Sequence, residues 1–238
     1  MGRASSVLAL CVGLGVYYVV AEWLPNLSVW AEVAVLSLLV IPAVFALVYF
    51  ALPLCRARHL FVSALAVALL AALLQILDLD VLANFAKLAA VTLLAFWFLS
   101  YFETAAWVVI VALIIPWVDA ISVWRGPTKH IVTRQPELFT TFSFAFPVPG
   151  EANTAQLGLP DLMFFALFLG AADRWGLRTK LTWAAMALSF GATLALTVAF
   201  DIGGLPALPL LALGFLMPNA DLLWRRLRAE NAWGSLKS

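Results

Sequence analysis

The chain has 238 residues, of which 65% are hydrophobic and 11% charged, and its formal net charge is +1. A soluble domain carries about 25% charged residues, so this composition excludes a soluble globular protein and a disordered chain, and the near-zero charge excludes a nucleic-acid binder. What remains is an all-α, polytopic transmembrane helical bundle; at roughly 20 apolar residues per crossing, the chain holds about eight spans and no separate soluble domain.

Uncharged runs mark the spans in chain order. Residues 4–21 follow a lone Arg3. Ala21-Glu22-Trp23 makes a poor cleavage site, so this run is read as a retained helix and not a signal peptide. Residues 33–55 form the second run, broken by Pro42 and Pro53, and residues 60–77 the third. Residues 81–102 hold only Lys87, which is expected to snorkel or to pair with Asp80 at the interface. Residues 104–124 hold only Asp119. A polar stretch, 125–156, comes next. Within it, residues 139–149 alternate apolar with small or polar side chains, a strand-like pattern. Residues 157–172 contain Asp161, 181–200 carry no charge, and 202–220 close the series. Backbone in lipid must satisfy its own hydrogen bonds, so runs of this length predict helices.

The loops orient the bundle through their Lys and Arg content. One side collects Arg3, Arg56, Arg58, Arg174, Arg178, Lys180, Arg225, Arg226, Arg228 and Lys237; the other has Arg125, Lys129 and Arg134. An integral membrane protein with both termini in the cytoplasm follows, its 125–156 loop outside. The chain divides into N-terminal helices (1–103), a core carrying the unusual residues (104–224) and a basic tail (225–238). Cys11, Cys55, His59 and His130 have no metal-ligand spacing, and no phosphate loop or dinucleotide fingerprint is present, so no metal and no cofactor are expected.

Most acids stand at span ends: Glu22, Glu32, Asp78, Asp80, Glu103 and Asp201. Asp119 and Asp161 do not. A carboxylate at membrane depth costs roughly 2.5–3.5 kcal/mol on insertion scales. Each of the two lies a short way in from the helix end that meets the 125–156 loop. Their helices are consecutive and antiparallel, so the acids reach a similar depth. Two carboxyl groups close together at low dielectric cannot both ionise, and the pair shares a proton. That suits acid–base hydrolysis by water: one member removes a proton from water and the other donates to a carbonyl oxygen.

A third feature is Asp201-Ile-Gly203-Gly204-Leu205-Pro206-Ala207-Leu208-Pro209. Glycines and prolines at the start of a membrane helix predict irregular backbone. Such backbone survives at membrane depth only where protein or a wet cavity covers it. An extended segment there is suited to hold an unwound substrate strand by main-chain pairing.

These residues resemble the presenilin and signal peptide peptidase family of intramembrane aspartyl proteases. That family has a Tyr-Asp motif, then Gly-x-Gly-Asp on the next helix, then Pro-Ala-Leu at the start of the last. Here Val118-Asp119 stands for the first and Gly158-Leu159-Pro160-Asp161 for the second, while Pro206-Ala207-Leu208 matches the third outright. Arg125-Gly126-Pro127 resembles the family's Lys-Gly-Pro. The resemblance covers about half the chain, from Pro116 to Trp224. It implies a presenilin-like fold, Asp119 and Asp161 as catalytic residues, Val118, Gly158, Leu159 and Pro160 as support, and Pro206, Ala207 and Leu208 as substrate-positioning residues. It implies no cofactor.

The departures shape the expectations. Val118 replaces a Tyr and Pro160 a Gly. Pro160 fits the first turn of a helix, which places Asp161 at a helix N-terminus, where negative charge is favoured. Asp161 is therefore expected to be the ionised base and Asp119 the protonated acid. The family has nine spans where eight are counted here. The charge bias matches the signal-peptide-peptidase sense. The implied setting is a prokaryotic plasma membrane, and the implied partners are single-span membrane peptides with a cytoplasmic N-terminus, such as spent signal peptides. The competing functions are a proton-coupled transporter, which also uses intramembrane acids and broken helices, and an inactive relative that binds membrane helices.

Other features have plainer readings. Trp23, Trp30, Trp117, Trp124, Trp175, Trp183 and Trp224 lie near span ends, where aromatic belts belong. Gly13, Gly15, Gly170 and Gly191 are candidates for close helix contact.

Overall fold

Helices form where the uncharged runs predict them. The computed structural model describes residues 3–125, 140–202 and 204–235. Helix α1 is Arg3–Val20, α2 is the helical run Val29–Arg56, and α3 is Leu60–Ile76. Helix α4 is Asp80–Leu99 and α5 is Ala105–Arg125. A hairpin of β1 (Ser143–Pro147) and β2 (Thr154–Gly158) leads into α6, Leu159–Arg174. Then come α7 (Thr179–Ala199), α8 (Leu208–Leu216) and α9 (Ala220–Ser235). Among the described residues, five helices are long and apolar enough to cross a membrane: α1, α2, α4, α5 and α7.

Two departures from the expected segments have local causes. The last apolar run is helical only from Leu208, because residues 202 and 204–206 have no regular structure; Gly203 lies outside the described residues. The boundary expected at 224/225 falls inside α9, since Ala220-Asp221-Leu222-Leu223-Trp224-Arg225 contains no helix breaker. In α2, a π-helical stretch at Leu36–Val40 sits directly before Pro42. Proline lacks the amide that would continue the ladder, and the wider turn upstream absorbs the fault.

Helix α6 is the centre of the bundle. Leu162 and the run from Phe165 to Ala172 are buried all round, as an axial helix requires. Phe165 meets Phe45 of α2 with ring centroids 4.1 Å apart, and Phe168 stacks on Phe215 of α8 at 4.9 Å. Gly170 lets α4 approach: a Cβ there would stand 3.0 Å from Leu99 and 3.3 Å from Phe96. Helix α5 is held differently. It packs chiefly on α8 and only slightly on α6. Trp107, Ile110, Leu113, Ile114, Trp117 and Ile121 form an exposed stripe along it.

Gly191 also makes the close contact expected of it. A Cβ there would lie 2.7 Å from Ser37 Cβ, and Ser37 Oγ donates to the Gly191 carbonyl. Gly13 and Gly15 differ, with nothing within 4 Å. The two kinds of site predict opposite signs. Gly191→Ala overpacks the α2–α7 contact and destabilises by about 1–3 kcal/mol. Gly13→Ala meets no neighbour and gains about 1 kcal/mol of helix propensity. Thermal unfolding of the two variants in one detergent measures both.

The charged turns gather at one end of the bundle. Arg56 faces Asp173 at 3.8 Å, and the Arg174 guanidinium caps α4 by donating to the Leu99 carbonyl at 2.7 Å. Arg178 clamps α9 through two bonds to Asp221, at 2.6 and 2.8 Å, and one to the Pro218 carbonyl. The guanidinium holds the Asp221 carboxyl below the usual carboxylate range. A carboxyl with a lowered folded pKa stabilises above its ordinary pKa, and that support is lost as pH falls through the lowered value. Amides at the start of α9 are therefore expected to exchange faster once pH drops below about 4. In Asp221→Asn, exchange there is already fast at neutral pH and does not respond to acid. The pair is exposed, so the effect is small and salt-sensitive.

Candidate active site

Of the strand-like stretch 139–149, residues 143–147 form a strand. β1 pairs antiparallel with β2 in the register Ser143↔Gly158, Ala145↔Gln156 and Pro147↔Thr154. Phe139 lies outside the described residues. The buried face of β1 carries Phe144 and Phe146, which join Tyr18 and Phe85 in one aromatic cluster. Gly150 closes the turn with φ +78°, a conformation that suits glycine. Its amide donates to the Ala21 carbonyl at 2.8 Å, which docks the hairpin on the loop between α1 and α2.

The outer edge of β1 is closed by side chains. The Asn84 amide donates to the Ala145 carbonyl at 2.8 Å and accepts from the Ala145 N–H at 2.9 Å, as a neighbouring strand would. Tyr18 and Tyr17 donate to the carbonyls of Ala145 and Pro147. Lys87 donates to the Thr141 carbonyl at 3.3 Å. Thr141 lies in the helical turn before β1, so the ammonium ties α4 to the entry of the hairpin, and Lys87 also stays within electrostatic range of Asp80, as expected. Ala145 turns its backbone groups away from β2. By the alternation of an antiparallel ladder, Gln156 opposite turns its own away from β1. Among the described residues nothing pairs with that outer edge of β2.

β2 runs straight into the second acidic motif. Gly158 ends the strand and is the N-cap of α6. Leu159 donates its N–H to the Phe142 carbonyl at 3.0 Å. Pro160 occupies the first helical turn, as its fixed φ and missing donor allow. Asp161 follows in the same turn, half-buried. Its side chain curls back, so that a Cβ on Gly158 would lie 3.3 Å from Asp161 Oδ2. Gly158 thus leaves room for the carboxyl.

Asp119 comes from the last turns of α5 and is also half-buried. Its Oδ2 accepts a hydrogen bond from the Leu208 N–H at 3.0 Å. Leu208 is the first residue of α8, whose leading amides have no partner within the helix. Pro209 has no amide to offer. Asp119 therefore caps α8, and the Pro206-Ala207-Leu208 segment is seated on it, with Ala207 and Leu208 buried. Asp161 lies within electrostatic range of Asp119. Both acids thus stand at helix N-termini, Asp161 at that of α6 and Asp119 at that of α8.

The remaining expected site residues divide. Val118 is 53% exposed, so it points away from the packed interior. Trp117 is exposed. The side chains of Trp124 and Arg125, together with Gly126 and Pro127, lie outside the described residues. Among the described residues no group of three His, Cys, Asp or Glu is placed to hold a metal ion. Asn84, Tyr17 and Tyr18 were not singled out from the sequence. Asn84 carried a usable signal, being an uncharged polar side chain buried in an apolar span. No family model, curated protein or solved structure matches the chain.

Proposed function

We propose that this protein is an intramembrane aspartic endopeptidase that hydrolyses peptide bonds within membrane-spanning segments. One observation carries the reading. The Leu208 N–H on Asp119 Oδ2 joins two motifs 89 residues apart, and Asp161 lies within electrostatic range of the same carboxyl. Three segments that resemble a protease family separately thus meet at one place.

The chemistry needs only these groups and a water. Asp119 is the base: its Oδ2 accepts an amide N–H, the pattern of an ionised carboxylate. This reverses the roles expected from the α6 N-terminus alone, because Asp119 has a helix N-terminus of its own and a direct bond to it. Asp119 takes a proton from water as the oxygen attacks the scissile carbonyl. Asp161 gives its proton to the carbonyl oxygen. The resulting diol collapses, the C–N bond breaks, and the proton held by Asp119 passes to the leaving amine. The diol proton returns to Asp161.

A helical peptide bond is shielded by its own hydrogen bonds, so the substrate must unwind near the acids. The outer edge of β2 supports this step. Its main-chain groups at Gln156 suit an added strand, and the strand leads within a few residues to Asp161. The charge bias favours substrates with a cytoplasmic N-terminus. The test is incubation of purified protein in liposomes with a single-span helical peptide, with and without a transition-state-type aspartyl inhibitor. Inhibitor-sensitive products cut within the span support the reading. Intact peptide, with proton flux that depends on Asp119, supports transport instead.

A further inference from the structure

We infer that the face formed by the start of α9 and the turn between α6 and α7 binds the headgroups of anionic phospholipids. Arg225, Arg226 and Arg228 are all exposed, and Lys180 stands exposed at the start of α7. Two acids beside these cations are already engaged, Asp221 by Arg178 and Asp173 by Arg56. Among the described residues no carboxylate pairs with Arg225, Arg226, Arg228 or Lys180. Like charges crowded together repel, and the cluster calls for a counter-anion.

The geometry matches a lipid better than a free ion. Leu223 is buried and pins α9 to the bundle, while Trp224 is 58% exposed. The Arg228 guanidinium lies 4.7 Å from the Trp224 ring centroid. A tryptophan beside a cation at the end of an apolar span suits the headgroup layer, where the ring is half in hydrocarbon and the charge is at phosphate level. Arg226 reaches back across the turn, its Nη2 3.6 Å from where a Gly176 Cβ would stand. That joins the two segments into one basic face. Arginine pairs phosphate oxygens through two parallel N–H bonds. The inference does not depend on what the two aspartates do.

The experiment titrates protein in neutral detergent with phosphatidylglycerol or phosphatidylcholine. Bound lipid is read by native mass spectrometry and stability by thermal unfolding. Phosphatidylglycerol is expected to be retained selectively, to raise the unfolding midpoint and to be released by salt. The combined Arg225→Gln, Arg226→Gln and Arg228→Gln variant is expected to bind it on the order of a hundredfold more weakly. The corresponding triple Lys variant, which keeps the charge but not the paired N–H geometry, is expected to bind between the parent and the Gln variant. Equal retention of the two lipids overturns the inference, as does a Gln variant that holds phosphatidylglycerol like its parent. Inorganic phosphate that stabilises as well as the lipid overturns it too. Should the Gln variant fail to fold, the selectivity and salt response of the parent decide alone.

Discussion

Asp119→Asn or Asp161→Asn is expected to lower peptide cleavage by about 10²- to 10⁴-fold, the usual span for loss of a positioned acid or base. The double variant is expected to be no worse than the poorer single one, because the two groups act as a unit. Asparagine is close in size to aspartate and keeps an oxygen that accepts the Leu208 N–H. Asp119→Asn therefore retains the α8 cap, and its unfolding midpoint stays near that of the parent. Asp119→Ala does not: it leaves the Leu208 amide without its partner, at about 1–3 kcal/mol. The contrast separates chemistry from capping. Asparagine variants that cut as fast as the parent would remove the hydrolytic proposal. Variants that bind substrate normally while neither they nor the parent cut it would point to an inactive helix-binding protein.

The second large effect is expected at Asn84, which touches neither aspartate. Its amide satisfies both backbone groups of Ala145, and it is only 5% exposed. Asn84→Ala leaves the Ala145 N–H unsatisfied and removes one of two donors from its carbonyl, the other being Tyr18. The cost is about 1–3 kcal/mol. Among the described residues the β1 edge is then held by Tyr17 and Tyr18 alone, and β2, which runs directly into Asp161, is less firmly placed. Cleavage should slow and lose positional precision, while the Ala145 amide loses protection from hydrogen exchange. A fully protected Ala145 amide in the variant would show that Asn84 does not hold the hairpin. Asn84→Asp makes a sharper probe: it keeps the acceptor for the Ala145 N–H but sets a negative oxygen against the Ala145 carbonyl.

The helices were legible because a lipid-length run without charge is too costly to solvate anywhere but in a bilayer, and the irregular start of α8 was legible from Gly204, Pro206 and Pro209. Asp119 and Asp161 stood out by the cost of their placement. The partner of Asp119 was not legible. A backbone amide at a helix start has no residue-type signature, so nothing in Leu208 announces that its N–H is donated to an acid 89 positions earlier. The hairpin was half visible. Alternation in 139–149 marked a strand, but β2, Thr-Ala-Gln-Leu-Gly, is only five residues long, and its last two fall within the apolar run that becomes α6. The Thr141 acceptor of Lys87 was not legible either, because a backbone carbonyl in a turn has no residue-type signature.

The two acids are mounted unequally. Asp161 belongs to the most enclosed helix of the bundle, wedged against α2, α4 and α8. Asp119 rides on α5, whose long outer flank touches nothing else among the described residues and which is fastened mainly along α8. Heat or harsh detergent that loosens the periphery will therefore part the carboxyl groups while the inner rods still stand. On the proposed function, hydrolysis is forfeited first and helicity last, so circular dichroism alone is a poor guide to whether a preparation is alive.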